Sequence, residues 1–190
     1  MTATGTAAKK GTINGVNVDT LFATIEAIRE QPVIANFQFR ARNAWSEGGY
    51  NQTTIEGFDG ACQRHERPAT FVMDADEPPL LLGTDRAANP VEHALHALAA
   101  CVTTSLVYHA AARGVTIRSV RSQLEGDLDL RGFLGLDPGV RNGYQQVRIK
   151  LSVEADAPRE TIDELVKIAQ ARSPVFDIFT NRVPVDVTLG

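Results

Sequence analysis

The stretch Asn89–Gly114, NPVEHALHALAACVTTSLVYHAAARG, constrains this chain more than any other. It reads as one long helix with both ends written into the sequence. Asn89 is an N-cap residue, Pro90 stands at the first helical position, and Glu92 falls at N3, where its carboxylate reaches back to the backbone N–H of the cap. Arg113 lies in the last turn, and Gly114 supplies the left-handed stop. Between the caps the residues are mostly Ala, Leu, Val, Thr and Ser. A helix apolar nearly all round is a buried central helix. Cys101, one of two cysteines in the chain, sits in its middle.

The rest of the chain must wrap this helix. A helix over 18–30 follows from Val18, Leu21, Phe22, Ile25 and Ile28 on one face, and Pro32 closes it. The preceding residues 1–15 are small and polar and read as a flexible arm, so 1–32 form an arm plus an N-terminal helix. From Val33 the period becomes two. Phe37, Phe39, Ala41 and Trp45 predict one strand, Glu47-Gly48-Gly49 a turn, Thr53–Ile55 a second strand ended by Gly57–Gly60, and Ala69–Met73 a third. These three form an antiparallel meander. After Gly114, a strand is predicted over 115–130 with an irregularity at Gly126, and a second over 145–155. A Gly-rich connection, RGFLGLDPGVRNG, joins them and is too long for a tight hairpin. Pro158 opens a helix to Arg172, which Pro174 ends. Val183, Val185, Val187 and Leu189 predict a final strand. The fold class is α+β, with an antiparallel sheet packed on the long central helix.

The length of 190 residues suits one main domain, and 43% apolar residues supply a core. A net charge of −4 argues against nucleic acid as a partner. No uninterrupted apolar run reaches the ~20 residues of a membrane span, and the N-terminus lacks the apolar core of a secretory signal. Two cysteines make no disulfide scaffold, and a reducing cytoplasm is the simplest compartment.

Among residues that carry chemistry, Cys101 admits two readings. It is a nucleophilic thiol if a cation from another element lowers its pKa, or a buried small hydrophobe. It lies too far from the cap for the helix dipole to help. Glu92 is explained by the capping box alone. It also lies about two and a half turns before Cys101, where it can support a cation near the thiol. His93, His96 and His109 share the helix, and His65 is near Cys62, but neither group comes with a ligand set that zinc requires, so no metal is expected. No nucleotide or hydrolase signature occurs, and no cofactor is expected. The acidic run Asp74–Pro78 reads as a solvated turn.

The signature helix resembles that of the OsmC/Ohr family, bacterial thiol peroxidases that reduce organic hydroperoxides. The resemblance covers residues 33–190, continuing through the following strands, the next helix and ARSPVFDIF. It implies an OsmC-like fold and an intertwined homodimer with its sites at the subunit interface. Cys101 matches the reactive cysteine. The family's resolving cysteine, before the proline that follows the last helix, corresponds to Ser173. The family's cap glutamate directly follows the proline, where this chain has Val91 and then Glu92. The family's arginine falls near Tyr50, with Arg42 and Arg40 on the preceding strand. The resemblance implies two functions. In one, Cys101 reduces organic hydroperoxides, Arg42 stabilises its thiolate, Glu92 orients that arginine, and an external thiol or Cys62 resolves the sulfenic acid. Apolar Phe176, Phe179 and the Phe133–Leu136 loop then suit an organic substrate. In the other, the dimer binds a small apolar or electrophilic ligand without turnover.

Overall fold

The computed structural model describes residues 11–190. The chain divides into two units, one of residues 11–18 with 95–190 and one of residues 19–94. It is mixed α+β, and every strand pairing in it is antiparallel.

In the first unit, the arm expected over 1–15 lies outside the described residues for 1–10. From there the chain forms a hairpin, β1 (Thr12–Ile13) with β2 (Val16–Asn17). Asn14 and Gly15 both have positive φ, 54° and 78°. That is the two-residue Asn-Gly turn whose twist matches a hairpin. The Asn14 side chain is not free: its amide donates to Val115 O at 2.9 Å and its oxygen accepts from Ile117 N at 2.8 Å. It thereby imitates a strand partner for the segment leaving the long helix.

That helix, α2 (Pro90–Ala112), follows α1 (Val18–Glu30) in the chain. Both helices form where expected, α1 from its apolar period and α2 from the signals at its ends. The C-terminal stop of α2 is a Schellman arrangement. Gly114 has φ 75°, Val115 N–H donates to Ala110 O, and Gly114 N–H donates to Ala111 O. The all-round apolarity of α2 is not matched by all-round burial. Leu98, Val102, Leu106 and Ala110, four residues apart, form a fully buried stripe, while Tyr108 on another face is half exposed. By length and composition α2 could cross a bilayer. Counting uninterrupted apolar residues misses this, because Glu92, the histidines and the Thr-Thr-Ser run break the count.

The stripe packs on a long hairpin, β9 (Ile117–Asp127) with β10 (Gln146–Ala155), through Ile117, Leu124, Val147, Ile149, Leu151 and Val153. The predicted irregularity at Gly126 is absent there, since Gly126 pairs regularly with Val147. The register shifts instead between Glu154 and Ala155. Gly126 serves close approach: a Cβ on it would lie 2.4 Å from the Tyr144 ring. A short helix α3 (Leu130–Phe133) begins the connection, and α4 (Arg159–Arg172) adds buried Leu165 and Ala169 to the core.

Near the C-terminus one expectation holds and one is corrected. Pro174 ends α4 but also opens another helix, α5 (Pro174–Thr180), for which proline is suited at the first turn. The strand predicted over 183–189 does not form, and Val185, Val187 and Leu189 are nearly fully exposed. Alternation supplies two faces, but a strand also needs a ladder partner, and none pairs with this segment among the described residues.

In the second unit, a short 3-10 turn (Pro32–Ala35) leads to β3 (Phe37–Gln38) and β4 (Arg42–Glu47). The single strand expected here is thus two, and they enter different sheets. β4 pairs with β5 (Tyr50–Ile55), which pairs with β8 (Phe71–Ala75), and this is the expected meander. β3 joins a second sheet with β6 (Phe58–Gly60) and β7 (Gln63–His65). Gly57–Gly60 therefore contributes a strand where it was expected only to end one. Three-residue strands are too short to display a period.

Candidate functional site

Cys101 lies on α2 among the residues of the first unit. It is half-buried and in no disulfide. Leu98 and Val102, on adjacent turns of the helix, point into the core, so the thiol lies beside the buried stripe. Ser173, at the place where the resemblance puts a second cysteine, is 2% exposed. Its Oγ accepts from Phe176 N–H at 3.2 Å and caps α5. The residue is thus engaged by a local helix end. Phe176 and Phe179 pack against the core cluster and line a cleft with Leu98, whereas Phe133, Leu134 and Leu136 are largely exposed.

In the second unit, Glu92 forms both halves of the capping box. Asn89 N–H donates to Glu92 Oε2 at 2.8 Å, and Glu92 N–H donates to Asn89 Oδ1 at 2.9 Å. Arg42 is highly exposed and ion-paired with Glu56 at 2.8 Å. No ion pair joins Arg42 to Glu92 among the described residues. Arg40 is paired with Asp59 and bonded to Gln38, and Arg64 bridges Glu66 and Asp59. Arg40 is the main cause holding the Asp59 carboxyl below its usual range. Cys62 is exposed, in the tight β6–β7 turn with φ 62°.

Three of the four histidines have surroundings of their own. His93 Nε2 lies 2.8 Å from Asp74 O, and His65 Nε2 lies 3.0 Å from Gly60 O with its ring stacked on Phe58. Burial, with Arg113 and Arg172 adding to it, lowers the pKa of His109. Among the described residues no three His, Cys, Asp or Glu side chains converge as metal ligands would.

What the sequence reading missed is the loop from Asp76 to Arg86. Asp76 is 1% exposed, not part of a solvated turn. It accepts from Thr84 Oγ1 at 2.7 Å and from the backbone N–H groups of Glu77, Thr84 and Arg86. These donors, led by the Thr84 hydroxyl, hold its pKa down to about 2. The loop so fixed carries Arg86, whose guanidinium donates to Glu47 at 2.7 Å and stands 4.3 Å over the Tyr50 ring. Tyr50 OH in turn donates to Asp74 at 3.1 Å, and this bond is the first cause of its raised pKa. The arginine that stands over Tyr50 thus comes from the loop before α2. An Asp followed eight residues later by Thr is too sparse a pattern to announce such a clamp.

The profile of the family described as OsmC-like protein matches residues 83–188, more than half of the chain. No curated protein matches the sequence. Among solved structures, an OsmC-like protein from Mycoplasma pneumoniae superposes with a TM-score of 0.57 at 15% identity, covering 75% of this chain and 86% of that one. An organic hydroperoxide resistance protein OsmC from Legionella pneumophila gives 0.51 at 19% identity, covering 75% and 89%. An OsmC-like protein of unknown function from Vibrio cholerae gives 0.52 at 12%, covering 74% and 92%. At these identities the likeness is one of fold.

Proposed function

This chain belongs to the OsmC-like protein family, and from that premise we propose that it reduces organic hydroperoxides through Cys101. The observation that carries the reading is the free, half-buried thiol on α2, inside the region that the family profile matches. The description of the Legionella protein as an organic hydroperoxide resistance protein supports it further.

In the proposed cycle the Cys101 thiolate attacks the terminal peroxide oxygen and the O–O bond breaks. The alkoxide leaves as the alcohol after taking a proton, and the sulfur becomes a sulfenic acid. Ser173 carries no sulfur, so an external thiol attacks the sulfenic sulfur, releasing water and forming a mixed disulfide. A second thiol then frees Cys101 and carries the disulfide away. A reducing cytoplasm supplies those thiols. Arg42 is the first choice for the cation that stabilises the thiolate, with Glu92 as its orienting partner. Arg86 is the second choice, because it is already fixed over Tyr50. Cys62 is the alternative resolver.

The working unit of this proposal is an intertwined homodimer built around α2, with sites at the subunit interface. The exposed Phe37, Phe39, Trp45, Phe71 and Val72 in one unit, and Val183–Leu189 in the other, support it as surfaces for a second copy to cover. Trp45 is the only tryptophan in the sequence and is 72% exposed in the single chain. Its emission is expected to shift to the red as the protein is diluted through dissociation. An emission maximum constant over a thousandfold dilution, together with a monomer mass, argues against the dimer.

A second reading is a non-catalytic binding protein on the same fold. It is favoured by Ser173 serving as a helix cap and Glu92 being engaged at its own cap. Intact-mass spectrometry decides between the two. Reduced wild type, Cys101→Ser and Cys62→Ser are exposed briefly to an organic hydroperoxide with a sulfenic-acid trap. An adduct that requires Cys101 supports the peroxidase, and an unmodified Cys101 under excess peroxide leaves the binding protein.

A further inference from the structure

A cleft of about 580 Å³ opens in the first unit between β10 and α5, a size suited to small ligands. Its floor is apolar, from Leu98, Val147, Ile149, Phe176 and Phe179. Of all the residues that line it, Arg141 is the one that carries a charge.

Arg141 differs from its neighbours in how its charge is used. Arg131, at the start of the same connection, pairs with Asp129 and Asp137, and Arg148 on β10 pairs with Asp127 and Glu125. Arg141 makes no ion pair among the described residues. Its backbone is nevertheless held firmly. Gln145 Nε2 donates to Arg141 O at 3.0 Å, and Gln145 N–H donates to Asp127 O at 2.7 Å. Gly132 packs so closely that a Cβ on it would lie 2.5 Å from Arg141 O. Tyr144, also lining the cleft, is seated on Gly126. The segment 141–145 is therefore an ordered rim, and Arg141, whose guanidinium enters no ion pair among the described residues, lines the cavity above its apolar floor.

From this juxtaposition we infer that the cleft binds an amphipathic monocarboxylate, with its alkyl or aryl body on the Phe176–Phe179 floor and its carboxylate on Arg141. A guanidinium matches a carboxylate through paired N–H donors, and a single cation with no lysine beside it suits a monoanion. The glutamine side chains at the rim, Gln146 and Gln170, offer further neutral donors. The cleft shares Phe176 and Phe179 with the apolar surface assigned to the organic substrate, but binding of a carboxylate needs no chemistry at Cys101, so failure of the inference and failure of the peroxidase reading are distinguishable.

The test is calorimetric titration of the full chain with octanoate, 1-octanol and acetate, repeated on Arg141→Gln and Arg141→Lys. Octanoate is expected to bind, 1-octanol and acetate to bind at least about tenfold more weakly, and R141Q to lose about tenfold in octanoate affinity, with R141K between. Ile178→Ser, a change at the half-exposed edge of the floor, is expected to weaken octanoate without restoring any preference for the alcohol. Equal binding of octanoate and 1-octanol, an R141Q variant with wild-type affinity, or no octanoate binding at millimolar concentration would each overturn the inference.

Discussion

The two units of this chain are held together by different physics. In the first, Leu98, Val102, Leu106, Leu165 and Ala169 are almost wholly out of water, and helices close over a long hairpin. In the second, the residues fully buried are Gly57, Gly60 and Asp76, while Phe37, Phe39, Trp45 and Phe71 stay more than half exposed. There the order comes from directional contacts: a carboxylate gathering four donors, arginines bridging strands, and stacked rings. Apolar packing is tolerant of geometry and insensitive to pH. A hydrogen-bonded carboxylate fixes a loop sharply but depends on its charge state. The arrangement also leaves apolar side chains on the strands of the second unit exposed.

The contrast can be broken most severely in the first unit. Leu106→Ala removes a side chain with no exposure and is expected to destabilise by about 2–5 kcal/mol, read from the denaturant midpoint. A loss well under 1 kcal/mol would mean the core collapses around the gap. In the second unit, Asp76→Asn is expected to strip hydrogen-exchange protection from the amides of Glu77, Thr84 and Arg86 while α2 amides from Leu98 to Ala110 keep theirs. The same carboxylate sets a pH signature. Its folded pKa of about 2 lies below the ordinary unfolded value of about 3.9, so its contribution is complete above about pH 4 and disappears as pH falls toward 2. An acid titration should show that loss in wild type and a flatter profile in Asp76→Asn. Identical profiles would remove Asp76 from the account. Ser173→Ala should cost about 1 kcal/mol through the cap of α5, with no change at the Asp76 loop. Smallest of all, Arg159→Ala breaks an exposed i,i+4 pair with Asp163 and should change stability by less than about 0.5 kcal/mol. A larger effect would show that surface charge matters in the first unit as it does in the second.

The same contrast explains what the sequence could and could not reveal. An apolar face that repeats over ten residues or more made α1, α4 and β10 legible, and α2 was legible from its caps. Asn89, Glu92 and Gly114 do what their residue types dictate. β6 and β7 are too short to repeat anything, and Gly60 and Asp59 resemble turn residues until a neighbouring strand pairs with them. Asn14-Gly15 carried a hairpin signal, hidden by the polar residues around it. The Asp76 clamp depends on contacts across ten residues that no local pattern encodes. Val183–Leu189 shows the converse: a clear pattern without the partner a strand requires. At the candidate site, the position of Cys101 on its helix was readable, whereas the arginines had to be placed by tertiary structure, and Arg86 over Tyr50 came from a segment not suspected.

Ser173 has a consequence on an evolutionary scale. Serine and cysteine side chains differ by one atom, oxygen against sulfur, and most serine codons lie a single base from a cysteine codon. The step exchanges a good helix cap for a poorer one, at a cost of about 1 kcal/mol. The identity of this one atom, oxygen or sulfur, can therefore change with little disturbance of the fold around α5.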